Sequence, residues 1–228
     1  MKKRIAQAGM ALFLLISVFF LSREGAQLVN GTLKAKSKGV IVVDSGHGGM
    51  DPGVIGQNER KEKEINLAIA KKLERLLKAD GYEVVMTRNT DEGLYKNDSP
   101  NKKVQDMQKR CEIIKETKPL LTVSIHQNSY PDEKVCGPQV FYFESSSEGQ
   151  KLAKSIQDSL NAELEISRPR VEKSNRTYYL LKRSEGVLNI VECGFLSNKK
   201  EAELLTQDAY QEKVAKAVEK GILKYLED

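Results

Sequence analysis

The sequence has no tryptophan, only two histidines and three cysteines in 228 residues, and aromatic side chains make up only 6% of it. So few rings leave no stacking platform for single-stranded bases. The cysteines, Cys111, Cys136 and Cys193, are an odd set without C-x-x-C spacing, which excludes a zinc ribbon and a dense disulfide framework. At most one internal bridge is open to them, a Cys111–Cys136 bridge among the alternatives; the default expectation is three small buried hydrophobes. Six prolines and 16 glycines are too few for a collagen-like or low-complexity chain. A basic surplus is also missing once the net charge of +5 is divided by position. Residues 1–38 carry seven basic side chains and one acid, Glu24, whereas the remainder holds 30 basic and 31 acidic residues. A body this close to neutrality offers no basic stripe to nucleic acid.

One apolar run stands out. Lys2, Lys3 and Arg4 precede Met10–Leu21, which only Ser17 interrupts. A basic start followed by a short apolar stretch is the pattern of an export signal. Counted from Ile5 the stretch has 17 residues, the lower edge of what spans a bilayer, so an uncleaved anchor is the alternative. Ser22-Arg23-Glu24-Gly25-Ala26 is a poor cleavage site, and the positive-inside rule leaves the body outside the cytoplasmic membrane. The expected organisation is a signal or anchor over residues 1–21, a polar basic linker over 22–38 and one globular domain over 39–228. Contact with the membrane is through the N-terminal segment.

The body alternates strands and helices. Val40–Val43 reads as a buried strand, 62–79 as a helix with Ile65, Ile69, Leu73, Leu76 and Leu77 on one face and Gly81 as its stop. Further strands are expected at 83–87, 120–126, 138–143, weakly at 178–181, and at 187–192. Helices are expected at 104–117, 147–164 with Ser147 as cap, 199–206 and 208–227, and a polar loop at 89–103. The pattern predicts an α/β fold: a single domain with a mixed, mostly parallel sheet of about six strands and helices on both faces.

Both histidines follow expected strands, His47 in Asp44-Ser45-Gly46-His47-Gly48-Gly49 and His126 in Ser124-Ile125-His126-Gln127-Asn128. Sites in open α/β sheets gather at the carboxyl ends of strands. Glu62 opens the first long helix, and the glycine-bearing loop before it can fold back toward His47. Two histidines and a carboxylate make a common catalytic zinc set with a fourth position for water. A first-turn acid favoured by the helix dipole explains Glu62 equally well, and Glu59 and Glu64 compete for that part. Glu192 ends the apolar strand Leu188-Asn189-Ile190-Val191. A buried carboxylate is costly unless a metal, a pocket or a salt bridge accounts for it.

Five segments, in order, resemble the zinc-dependent N-acetylmuramoyl-L-alanine amidases of family 3. They are Val42–Gly53, Glu62-Lys63-Glu64, Thr87-Arg88, Ser124–Asn128 and Val191–Asn198. The resemblance covers nearly everything from Val40 onward, and the short chain with a leader is closest to the spore-cortex amidases of the CwlD type. It implies Zn2+ held by His47, Glu62 and His126, with Glu192 as the catalytic glutamate. The implied reaction is hydrolysis of the amide between N-acetylmuramic acid and L-alanine in cortex peptidoglycan. Such a step contributes to muramic lactam formation and germination, in the exported wall space, with an exported accessory protein as a further partner. Cys193, where an aliphatic residue is commoner, and a longer, more polar 89–110 segment depart from the family. Three rivals are a zinc carboxypeptidase, whose H-x-x-E pairing is absent after His47, a cysteine peptidase using Cys193 and His126, and a non-catalytic peptidoglycan-binding protein.

Overall fold

A computed structural model describes residues 16–19, 37–56, 59–166 and 168–228. Residues 16–19 are helical; the rest of the expected leader and nearly all of the linker lie outside the described residues. Among the described residues, no helix is long and apolar enough to cross a membrane.

Residues 38–228 build six strands, β1 (Val40–Ser45), β2 (Glu83–Met86), β3 (Leu121–Asn128), β4 (Gln139–Phe143), β5 (Lys173–Asn175) and β6 (Leu188–Phe195). The helices are α1 (Glu62–Ala79), α2 (Lys102–Thr117), α3 (Ser147–Glu163), α4 (Tyr179–Arg183), α5 (Lys199–Leu204) and α6 (Asp208–Glu227). The strands form one sheet in the order β2-β1-β3-β6-β4-β5. β2, β1, β3 and β6 run parallel; β4 is antiparallel to β6 and parallel to β5. The sheet is mixed, mostly parallel and covered on both faces, as the alternating pattern predicts.

Continuous apolar strands fit this covering, because each strand buries both of its faces. Ile41 and Val43 join Val123, Ile125 and Val191 beneath α1, α3 and α6. Val42 and Ile190 point the other way, against Ile114 of α2 and Leu180 and Leu181 of α4. Helix α1 buries Ile65, Ile69, Leu73 and Leu77 and ends at a left-handed Gly81 (φ +90°). There the amides of Gly81 and Tyr82 donate to Lys78 and Leu77 carbonyls, both at 3.1 Å, satisfying two orphaned acceptors.

Three local expectations fail. Residues 178–181 are not a strand: Tyr179–Arg183 is a short helix, and β5 lies earlier at Lys173–Asn175. The Asn175 side chain accepts from the Thr177 and Tyr178 amides, both at 2.8 Å, turning the chain before it can extend. The cap of α3 is Ser146, whose hydroxyl accepts from the Gly149 amide, rather than Ser147. Nor are the cysteines three buried hydrophobes: all are free, with no Cys111–Cys136 bridge, and only Cys193 is buried, Cys111 being partly exposed and Cys136 exposed.

Candidate active site

The carboxyl ends of β1, β3 and β6 meet at the floor of a cleft of about 880 Å³. Beyond β1 the backbone turns through His47 at φ +60°, then Gly48 and Gly49. Gly48 and Asp51 exchange backbone hydrogen bonds of 3.1 Å, closing a tight loop. The chain then returns to α1, whose first amides, Glu62 and Lys63, donate to the carbonyls of Val54 and Pro52. That return carries Glu62 under His47. Gly53 (φ +67°) is needed where the two meet, since a Cβ there would strike the Glu62 carboxylate and lie 2.7 Å from His47 Cδ2.

The structure brings His47, Glu62 and His126 together, with one ligand atom of each within 4.8 Å of the others. Glu62 Oε2 lies 3.1 Å from His47 Nε2, and Glu62 Oε1 lies 3.0 Å from His126 Nδ1. The carboxylate also accepts from the amides of Val54 (2.8 Å) and Gln127 (3.0 Å) and from Asn66 Nδ2 (3.2 Å). Burial raises its pKa, and hydrogen bonds from His126 and His47 more than reverse this, holding it well below the carboxylate range. Burial lowers the His126 pKa, but the Glu62 carboxylate outweighs it and the net direction is up. Glu64, the neighbouring candidate, is exposed on the outer side of α1.

Glu192 sits directly across from His126 in the β3–β6 register. It is 7% exposed, and its Oε2 has no hydrogen-bond partner. Burial pushes its pKa up to about 7, eased by His126 and raised by Glu62. No lysine or arginine salt bridge to it is found among the described residues, so the bland reading of its burial falls. Alternation turns Cys193 to the opposite face, where it is fully buried and its thiol pKa is pushed far up by that burial. A thiol there is inert, which removes the cysteine peptidase.

Several residues the sequence reading left without a role support this floor. Asp51 Oδ2 lies 3.1 Å from His47 Nδ1, so that Nδ1–H is fixed and Nε2 is directed to Glu62. Arg110 of α2, 1% exposed, donates to Asp106 (2.6 Å), Asp44 (2.6 Å), the Ser45 carbonyl (2.7 Å) and the His47 carbonyl (2.6 Å). Arg88 donates to the carbonyls of Ser45, Gly46, Lys63 and Thr90. Buried Lys63 donates to the Gly49 carbonyl and Asp91, both at 2.7 Å. Asp51 was legible as the acid four residues after His47. Arg110 and Lys63 gave no signal.

An α/β sheet with two histidines, a buried glutamate between them and a second buried glutamate beside them defines a hydrolase-type site whose donors are compatible with a metal ion. The family model described as N-acetylmuramoyl-L-alanine amidase matches residues 41–224, and the chain belongs to that family. A germination-specific N-acetylmuramoyl-L-alanine amidase of Bacillus subtilis is 37% identical over 82% of this chain and 79% of its own length. The CwlD amidase from Clostridioides difficile, solved in complex with the GerS lipoprotein, superposes with a TM-score of 0.81 at 39% identity. That match covers 83% of this chain and 99% of the solved one. The amidase AmiC2 of Nostoc punctiforme gives a TM-score of 0.73 at 30% identity, over 83% and 97%. The protein is thus an N-acetylmuramoyl-L-alanine amidase acting on peptidoglycan.

Proposed function

We propose that the chain is a zinc amidase of spore-cortex peptidoglycan, with the ion held by His47, Glu62 and His126 and with Glu192 as general base. The observation that carries this is the Glu192 carboxylate, buried, with one oxygen unpaired, beside a two-histidine, one-glutamate cluster. Nitrogen and carboxylate donors in that number suit a catalytic zinc site, so the residues fit the metal. When bound, the ion supplies Lewis acidity that makes water nucleophilic near neutral pH and stabilises charge on the scissile carbonyl oxygen.

The chain's own groups do the rest. Asp51 holds the His47 ring in one tautomer, and the five neighbours of Glu62 keep it ionised and immobile. Glu192 takes the proton of the attacking water and delivers it to the departing nitrogen of L-alanine. A carboxyl with a pKa near 7 is well matched to move a proton both ways at neutral pH.

The germination-specific relative and the CwlD neighbour support a place in cortex modification. There, amide cleavage followed by deacetylation leads to muramic lactam. The GerS complex of that neighbour supports an exported accessory protein for this chain as well. The basic, apolar start of the sequence supports export, with residues 1–21 as signal or anchor, 22–38 as linker and 39–228 as the catalytic domain.

Mass spectrometry of purified cortex peptidoglycan after digestion tests the reaction. Free stem peptides beginning at L-alanine are expected, with activity lost to a chelator and restored by zinc. Peptides that remain on muramic acid refute the assignment. Fractionation with mapping of the N-terminus tests the leader: a soluble protein beginning near residue 26 refutes an uncleaved anchor.

A further inference from the structure

Three basic side chains line the cleft: Lys102, Lys103 and Arg110. Arg110 is fully committed beneath the floor to Asp44, Asp106 and two backbone carbonyls. The lysines open α2 on the wall that adjoins His47. Lys103 Nζ lies 3.3 Å from Asp51 Oδ2 while its side chain is 73% exposed, and Asp51 already shares its charge with His47. Lys102 has no carboxylate partner among the described residues. Its ammonium stands 5.6 Å from the centroid of the Tyr95 ring. Tyr95 is itself anchored, because its hydroxyl accepts from the Met50 amide at 2.8 Å.

The acids of the cleft are accounted for. Glu62 belongs to the histidines, Asp106 to Arg110 and the Leu94 amide, Asp51 to His47 and Lys103, and Glu192 is the base. Asn128, Ser129, Tyr178 and Tyr179, which also line the cleft, are neutral. Lys102 is therefore the cleft cation without a carboxylate partner, and the exposed Lys103 beside it shares Asp51 with His47.

We propose that Lys102 and Lys103 form a recognition subsite for a free carboxylate of the stem peptide. The inference rests on the amidase reading of the site. A stem peptide is acidic close to the scissile bond: the residue after L-alanine is a glutamate with one carboxyl free in some walls and amidated in others. A carboxylate there accepts charge-assisted hydrogen bonds from the lysines, and a carboxamide forfeits the charge. The lysines thus set which way the substrate lies, with the peptide toward the start of α2.

The test uses two muropeptides that differ only in that group, acid or amide, with kcat and KM measured for the full chain loaded with zinc. Wild-type protein is expected to favour the acid, and the preference to shrink as ionic strength rises. Lys102→Met is expected to raise KM for the acid about fivefold and to leave the amide within twofold, with kcat unchanged for both. The double variant with Lys103→Met should abolish the preference. Any indirect effect through Asp51 acts on both substrates alike, so the ratio isolates the subsite. Lys109→Met, on α2 but paired with Glu112 outside the cleft, is the control. An acid-to-amide ratio unchanged in the double variant overturns the subsite alone. Wild-type protein that cleaves neither peptide overturns the amidase reading and the subsite with it.

Discussion

Replacing Arg110 separates the groups that touch substrate from those that hold them in place. Its guanidinium uses a planar fork to reach one carboxylate on α2, another on β1 and the carbonyls of Ser45 and His47, every contact between 2.6 and 2.7 Å. Arg110→Lys keeps the charge but not the fork, so it can satisfy Asp44 or the carbonyls, not all of them. Leaving one or two buried carbonyls short of a donor costs about 1–3 kcal/mol each. A loss of roughly 3 kcal/mol is expected, which for a domain of this size lowers Tm by about 6–12 °C. Arg110→Met removes the charge as well. The buried Asp44 then stands without its ion pair, and about 3–5 kcal/mol is expected to go. His47 sits at φ +60°, a conformation that its surroundings must impose. Loosening its carbonyl should therefore weaken metal binding about 10–100-fold even in Arg110→Lys molecules that remain folded. Circular dichroism melts of the metal-free protein measure the first effect, and competition with a chromophoric chelator measures the second. Arg110→Lys protein with Tm within 2 °C of wild type and unchanged zinc affinity would refute the reasoning.

Other expectations are shorter to state. His126→Ala should lose most of its zinc by elemental analysis, and stoichiometric zinc in that variant sinks the ligand set. Glu192→Gln should bind zinc and wall material yet turn over about 10²–10⁴-fold more slowly; near-normal turnover moves the base elsewhere. Acid should reveal Asp44. Burial raises its pKa, but Arg110 and the hydroxyls of Ser124 and Thr87 bring it down to about 2, below the ordinary 3.8. The stabilisation is complete above about pH 5 and is lost as pH falls through 4 toward 2, on the order of 2 kcal/mol. Urea titrations from pH 5 to 2 should show that extra loss in wild type and not in Asp44→Asn; parallel curves refute it.

What was legible in the sequence follows from how local each signal is. The buried runs before His47 and His126 and the apolar stripe of α1 are short-range patterns, and each lands within a residue or two of its element. The two histidines were found because their strands were. Glu62 could not be told from Glu64 by spacing; the return loop through Gly53 decides it, burying one and leaving the other in water. Tyr178–Leu181 misled because aromatic and branched residues suit a strand, whereas the Asn175 side chain starts a turn and Leu180 and Leu181 pack as a helical pair beneath the sheet. β5 has no apolar alternation to read, and its place is set by pairing with β4. Arg110 was invisible for a different reason. It is one of several charges on a polar helix, and only docking of α2 against the end of β1 takes it out of water.

The buried charges beneath the cleft make sense as a device for shape rather than for stability. Apolar residues of similar volume in place of Asp44, Arg88, Asp106 and Arg110 are often no less stable than such networks. What apolar residues cannot supply is donors for the carbonyls of Ser45, Gly46 and His47. Those three successive carbonyls are held by Arg88, Arg110 and Asn66 from beneath the turn. Left alone, a strand sends successive carbonyls to opposite sides and would carry His47 past the site. Drawn inward together, they turn the backbone into the left-handed region and leave the imidazole facing Glu62. The catalytic geometry is thus written in side chains that are buried beneath the cleft. The same logic explains why the two histidines lie at strand ends while Glu62 and the residues that aim the cluster come from α1, α2 and the segment after β2.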